Sequence, residues 1–80
     1  MENKLAVISI IVENGEMVET INALLHENAP QIVGRLGLPC RERDLCIICV
    51  AMDAPEAQIR ALSDAVGALP GVRTQTVFAA

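Results

Sequence analysis

A four-stranded antiparallel sheet with two helices on one face, an α+β sandwich, is the fold this 80-residue sequence predicts. Three observations predict it. Apolar runs of period two and amphipathic runs of period 3.6 alternate in the order strand, helix, strand, strand, helix, strand. Gly, Pro and Asn punctuate each junction. The length holds this one unit, read as a single domain over residues 1–80, close to the lower size at which one core is comfortably stable.

The first strand is Lys4 to Val12, KLAVISIIV, a near-continuous β-branched run of the kind found in central strands. Asn14-Gly15 ends it. Asn14 is placed to cap the following helix, with Glu16 in its first turn, where the helix dipole favours negative charge. Met17, Ile21, Leu24 and Leu25 recur at helical spacing, with Glu19, Asn22 and Glu27 on the other side, and Pro30 closes the helix. Gln31 to Leu38 reads as an edge strand, with two glycines and Arg35, and with Ile32, Gly34, Leu36 and Leu38 on one face. Pro39 to Arg43 reads as an exposed polar turn.

Asp44 and Asp53 bound the third strand, LCIICVAM. It contains Cys46 and Cys49 in a CxxC spacing, but no residue that would make a turn between them. On a strand, positions three apart face opposite sides, about 10 Å apart along the axis. A disulfide needs Cα atoms within about 7 Å, so these thiols read as small core hydrophobes. Asp53-Ala54-Pro55-Glu56 has the form of a helix start, with Asp53 capping, Pro55 in the first turn and Glu56 completing a capping box. Ile59, Leu62, Val66 and Leu69 give that helix its stripe, and Pro70-Gly71 stops it. Val72 to Phe78 alternates, with Val72, Thr74, Thr76 and Phe78 on one face. The order is a split βαβ, or ferredoxin-like, sandwich; right-handed crossovers arrange its strands 4-1-3-2.

Composition narrows the function. Residues AVILMFWYC make up 52% of the chain, with one Phe and no Trp or Tyr, so the core is aliphatic. A net charge of −4, with no basic run and no row of aromatics, argues against nucleic acid or an anionic membrane as a direct partner. Three cysteines, an odd number with no secretory signal before them, suit a reducing cytoplasm. No cofactor motif is present: GxGxxG, P-loop and HExxH are all missing. His26 is the sole histidine and falls at a helix C-terminus, where a cation complements the dipole; no catalytic or metal set is expected. Cys40, beside Arg41 and Arg43, is the candidate reactive thiol.

Both central strands are apolar on both sides. Leu5, Val7 and Ile11 oppose Ala6, Ile8, Ile10 and Val12; Leu45, Ile47 and Cys49 oppose Cys46, Ile48 and Val50. Two helices cover one face only. The other, on the order of 400 Å² of aliphatic surface, is at the upper end of what a monomer exposes, so a homo-oligomer, dimer or tetramer, is expected.

The sequence resembles the small ACT-like proteins described as regulators of the iron-only hydrogenase system. The resemblance is carried by KLAVISIIVEN, by Leu24-Leu25-His26, by Arg35-x-Gly37-x-Pro39-x-Arg41-Glu42, and by Ala61-Leu62-Ser63 with Gly71-Val72-Arg73-x-x-Thr76-Val77. It implies an ACT-like fold and a regulatory, non-enzymatic role. ACT domains often bind an amino acid near a glycine after the first strand, the place of Gly15. The candidate set for a small-molecule or amino-acid ligand is therefore Asn14, Gly15, Glu16, Arg35 and Arg41. The related fold of nickel-responsive repressors binds nickel through His and Cys, but this chain lacks the His-x-His of that site and the ribbon-helix-helix arm used on DNA. A structural subunit docking another protein through its sheet is the alternative function; an enzyme using Cys40 has no base or acid placed for it.

Overall fold

The computed structural model describes residues 2–79. The strands are β1 (Asn3–Val12), β2 (Ile32–Cys40), β3 (Leu45–Pro55) and β4 (Val72–Phe78), and the helices are α1 (Val18–Glu27) and α2 (Glu56–Gly67). All pairings are antiparallel, and the sheet order is β2-β3-β1-β4. This is the ferredoxin-like arrangement that the element order predicts, and the ACT-like fold that the resemblance implies.

Register decides which face the helices cover. Ile8 lies opposite Val50 and Thr76, and Ile10 opposite Ile48 and Thr74. These even-numbered positions form the core with Ile21 and Leu25 of α1 and Ile59, Leu62 and Val66 of α2. Ile8, Ile10, Val50 and Met52 are almost wholly shielded from water. Burying one such side chain is worth roughly 1.5–3 kcal/mol, so this aliphatic centre, with Phe78 packed against its side, supplies most of the hydrophobic stabilisation. The odd-numbered set of β1, with Leu5, Val7 and Ile11, faces away from the helices and stays 40–50% exposed.

Where α2 crosses β4, packing is polar. Thr76 donates to Ser63 Oγ at 2.9 Å, Ser63 Oγ donates to Thr74 Oγ1 at 3.3 Å, and Thr74 Oγ1 donates to the Ser63 carbonyl at 3.2 Å. Each hydroxyl hydrogen has an acceptor, which lets Ser63 sit in the core at 9% exposure. Gly71 makes the turn into β4. Its φ of +71° is a left-handed conformation, and a Cβ there would come within 2.9 Å of Asn14 Cβ. Only glycine meets both demands.

Four local expectations are corrected. First, β2 runs on to Cys40, so Pro39 and Cys40 belong to the strand; the turn is a 3-10 turn at Arg41–Arg43, closed by Asp44 at φ +55°. Proline is tolerated because β2 is an edge strand, where an absent N–H need not break the ladder. Second, β3 continues to Pro55, which pairs with Asn3, so Asp53 lies in the sheet opposite Leu5 and does not cap α2. The longer ladder outweighs the capping box, and Pro55 is the N-cap with no side-chain bond. Third, β2 bulges between Ile32 and Gly34. The extra residue, Val33, puts Ile32 opposite Met52 on the helix side, while Gly34, Leu36 and Leu38 stay on the open face. Fourth, Asn14 caps a short 3-10 turn (Gly15–Met17) that leads into α1, its Oδ1 accepting from the Glu16 N–H at 3.1 Å.

Candidate functional site

Cys46 lies on the helix side of β3, between Val12 and Pro39, and Cys49 on the open side, between Ser9 and Leu36. All three cysteines are free and half-buried. Cys40 is therefore the last residue of β2, opposite Leu45, and not part of an exposed turn. His26 sits in the last turn of α1, which leads through a 3-10 turn at Ala29–Gln31 into the start of β2. Cys40 is at the other end of that strand, eight residues on, or about 26 Å away at some 3.3 Å per residue. A cysteine–histidine pair does not form there. Among the described residues, no three of His, Cys, Asp or Glu converge in a metal-binding arrangement.

Asn14, Gly15 and Glu16 lie just beyond the Val12 end of β1, and Arg41 just beyond the Cys40 end of β2, both at the same end of the sheet. Arg35 is elsewhere. It lies opposite Val50, at the level of Ile8, two strands from β1 and about 14 Å short of Val12 along the sheet. The five predicted ligand residues thus do not gather at one point. Arg35 instead joins α1: its Nη2 donates to Asn22 Oδ1 at 2.9 Å.

That contact bridges a cleft of about 260 Å³ between α1 and the β2–β3 pair. Val18 and Asn22 form one wall, Arg35 and Pro39 the rim, and Gly37, Cys46 and Ile48 the floor. Gly37 pairs with Ile48 on the helix side, and a Cβ placed on it would meet nothing within 4 Å. Nothing in the sequence separates Gly37 from an ordinary edge-strand glycine; its place over the floor depends on register.

The open face of the sheet is the second feature. Leu5, Val7, Ile11, Leu36, Leu38 and Val77 are 40–63% exposed there, an apolar surface that Ser9 and Gln75 interrupt between β1 and β4. Toward its β2 edge Gly34 pairs with Ala51, leaving a depression of about 350 Å³ walled by Val7, Leu36 and Cys49. Charge is kept to the margins, with Asp53 beside Leu5 and Arg73 beside Ile11.

Ion pairing is concentrated at the α2 N-terminus. Lys4 Nζ and Arg60 Nε both donate to Glu56, at 2.6 and 2.7 Å, and Arg60 also lies 4.9 Å over the Phe78 ring. The Lys4 hydrogen bond, then that of Arg60, holds the Glu56 carboxyl down from its ordinary 4.5 to about 2. This cluster ties β1, α2 and β4 together at the sheet end remote from the Asn14 turn.

The structure of the uncharacterized protein TM1266 from Thermotoga maritima superposes with a TM-score of 0.94 at 31% identity, covering 99% of this chain and 100% of that one. The C-terminal domain of the MgtC protein from Mycobacterium tuberculosis shares the fold at TM-score 0.77 and 12% identity, over 96% of this chain and 88% of that domain. A formyltetrahydrofolate deformylase from Pseudomonas putida KT2440 shares it at 0.61 and 13%, over 92% of this chain but 28% of the enzyme. The last two establish fold alone. No curated protein gives a significant match. A family model described as "TM1266-like: Iron-only hydrogenase system regulator, putative" matches residues 4–76. The chain therefore belongs to the TM1266-like family.

Proposed function

We propose that this protein is a single-domain, non-catalytic regulatory module of an iron-only hydrogenase system, acting in the cytoplasm as a homo-oligomer that responds to a small ligand. The family description supports the regulatory role. The observation that carries the assembly is the open sheet face. Six aliphatic side chains lie there about half-exposed. Completing their burial at roughly 1.5–3 kcal/mol per fully buried side chain returns on the order of 5–9 kcal/mol per subunit. An isologous twofold contact applies that gain to both copies, against an association cost of about 4–15 kcal/mol. The depression over Gly34 and Ala51 gives a partner side chain a place to seat. No described helix is long and apolar enough to cross a membrane.

Thermal unfolding against a panel of amino acids, small organic acids and divalent ions tests the ligand response. A ligand at a hundred times its dissociation constant stabilises by about 2.7 kcal/mol. A rise in Tm with one class of compound is the expected result. No rise with any compound, together with co-purification of a larger protein on the sheet face, would establish the docking-subunit reading instead.

A further inference from the structure

We propose that the cleft between α1 and β2 binds a small organic carboxylate with a short branched aliphatic body, oriented by Arg35. This inference rests on the ligand-sensing reading and names the ligand class. Three features of the cleft converge on that chemistry.

Arg35 supplies the charge. It is held by the neutral amide oxygen of Asn22, and no carboxylate pairs with it among the described residues. An aspartate or glutamate at position 22 would hold the guanidinium equally well but neutralise it. Asparagine orients it and leaves a full positive charge at the rim, and a guanidinium matches a carboxylate with two parallel N–H donors.

The floor supplies the room. Gly37 removes a side chain from the helix-facing row of β2 at the point where Ile48 forms the base of the cleft. With Val18, Pro39 and Cys46 around it, the space is mostly apolar, and its volume lies just below the roughly 300–1,000 Å³ of ordinary ligand clefts. It suits a body of four or five carbons.

The lining also supplies a selection. It contains one cation and no carboxylate. The ammonium of an α-amino acid would lose hydration there with no anion to receive it, so a plain acid or a 2-oxo acid is preferred to the matching amino acid.

Amide NMR titration of the intact protein tests this with three probes of one carbon skeleton: 3-methylbutanoate, its neutral amide 3-methylbutanamide, and valine. The expected result is saturable shifts at the amides of Asn22, Gly37 and Ile48 with the carboxylate, at least tenfold weaker binding of the other two, and at least a tenfold loss of carboxylate affinity in Arg35→Gln. Gly37→Val fills the floor and abolishes binding; Gly37→Ala, whose Cβ meets nothing within 4 Å, checks that the strand tolerates substitution. Equal response to acid and amide, or an unchanged affinity in Arg35→Gln, overturns the proposal. Shifts confined to residues 14–16 overturn it too, while leaving the sensing role in place. No shift with any probe overturns it and leaves the sensing role to the thermal panel.

Discussion

Ser63→Ala removes the hydroxyl through which Thr76 and Thr74 are joined to α2. In the wild type, Ser63 Oγ accepts from Thr76 at 2.9 Å and donates to Thr74 at 3.3 Å. The alanine variant leaves the Thr76 hydroxyl without its acceptor and takes one donor from Thr74, whose own hydrogen still reaches the Ser63 carbonyl at 3.2 Å. A lost hydrogen bond costs about 0.5–1.5 kcal/mol, and a buried group left unsatisfied about 1–3 kcal/mol. Thr76 is only half-buried, so water offsets part of this, and the expected loss is about 1–2 kcal/mol. For a domain of this length that lowers Tm by roughly 5–15 °C. Thr76→Val removes the donor along with its need for an acceptor and keeps the shape, so it is expected to lose less than about 1 kcal/mol. Urea unfolding of the two variants at one protein concentration reads both values, since assembly makes Tm depend on concentration. A Ser63→Ala loss below about 0.3 kcal/mol, or a larger loss in Thr76→Val, would refute the hydroxyl chain as the polar lock between α2 and β4.

Ile11→Glu, on the open face, is expected to reduce the assembly to monomers while far-UV circular dichroism stays unchanged; Ile10→Glu, one residue away but facing the core, is expected to unfold the chain. Glu56 has a folded pKa of about 2 against an ordinary 4.5, so its contribution is present above 4.5 and is lost as pH falls toward 2. Glu56→Gln is accordingly expected to flatten the acid limb of the stability–pH curve between those values and leave its shape above pH 6 unaltered, as measured by urea midpoints across pH. Cys40, at the end of an edge strand, is expected to alkylate before Cys46 and Cys49 in the native protein, and mass mapping after a short iodoacetamide pulse gives the order.

The fold was legible where local signals agreed with one another. The span of β4, the order of strands and the opposed placement of Cys46 and Cys49 all follow from periodicity and turn chemistry. Which face of β1 meets the helices does not follow from β1 alone, because Ile8-Ile10 and Val7-Ile11 are equally apolar. The deciding signal sits on the neighbouring strand. Arg73 and Gln75 are the polar face of β4, and they pair with Ile11 and Ser9, so extending the alternation of β4 across the ladder turns the odd-numbered residues outward. The start of α2 was misread because Asp53-Ala54-Pro55-Glu56 satisfies a local capping rule, whereas the outcome rests on a pairing with Asn3 some fifty residues earlier. The cleft was the least legible feature. Its three determinants, the Arg35–Asn22 bond, the floor at Gly37 and the bulge at Val33, depend on register between β2 and β3 and on how α1 lies across them. A linear pattern carries none of these; it singles out Gly15 and Arg35 as separate positions without the distance between them.

The mass of the native protein in solution, followed by light scattering from high to low micromolar concentration, tests the account most directly. The uncovered row of Leu5, Val7, Ile11, Leu36, Leu38 and Val77 predicts a dimer or tetramer of the 8.5 kDa chain, dissociated by Ile11→Glu. A monomer mass throughout that range, with the sheet face open to water, would contradict it.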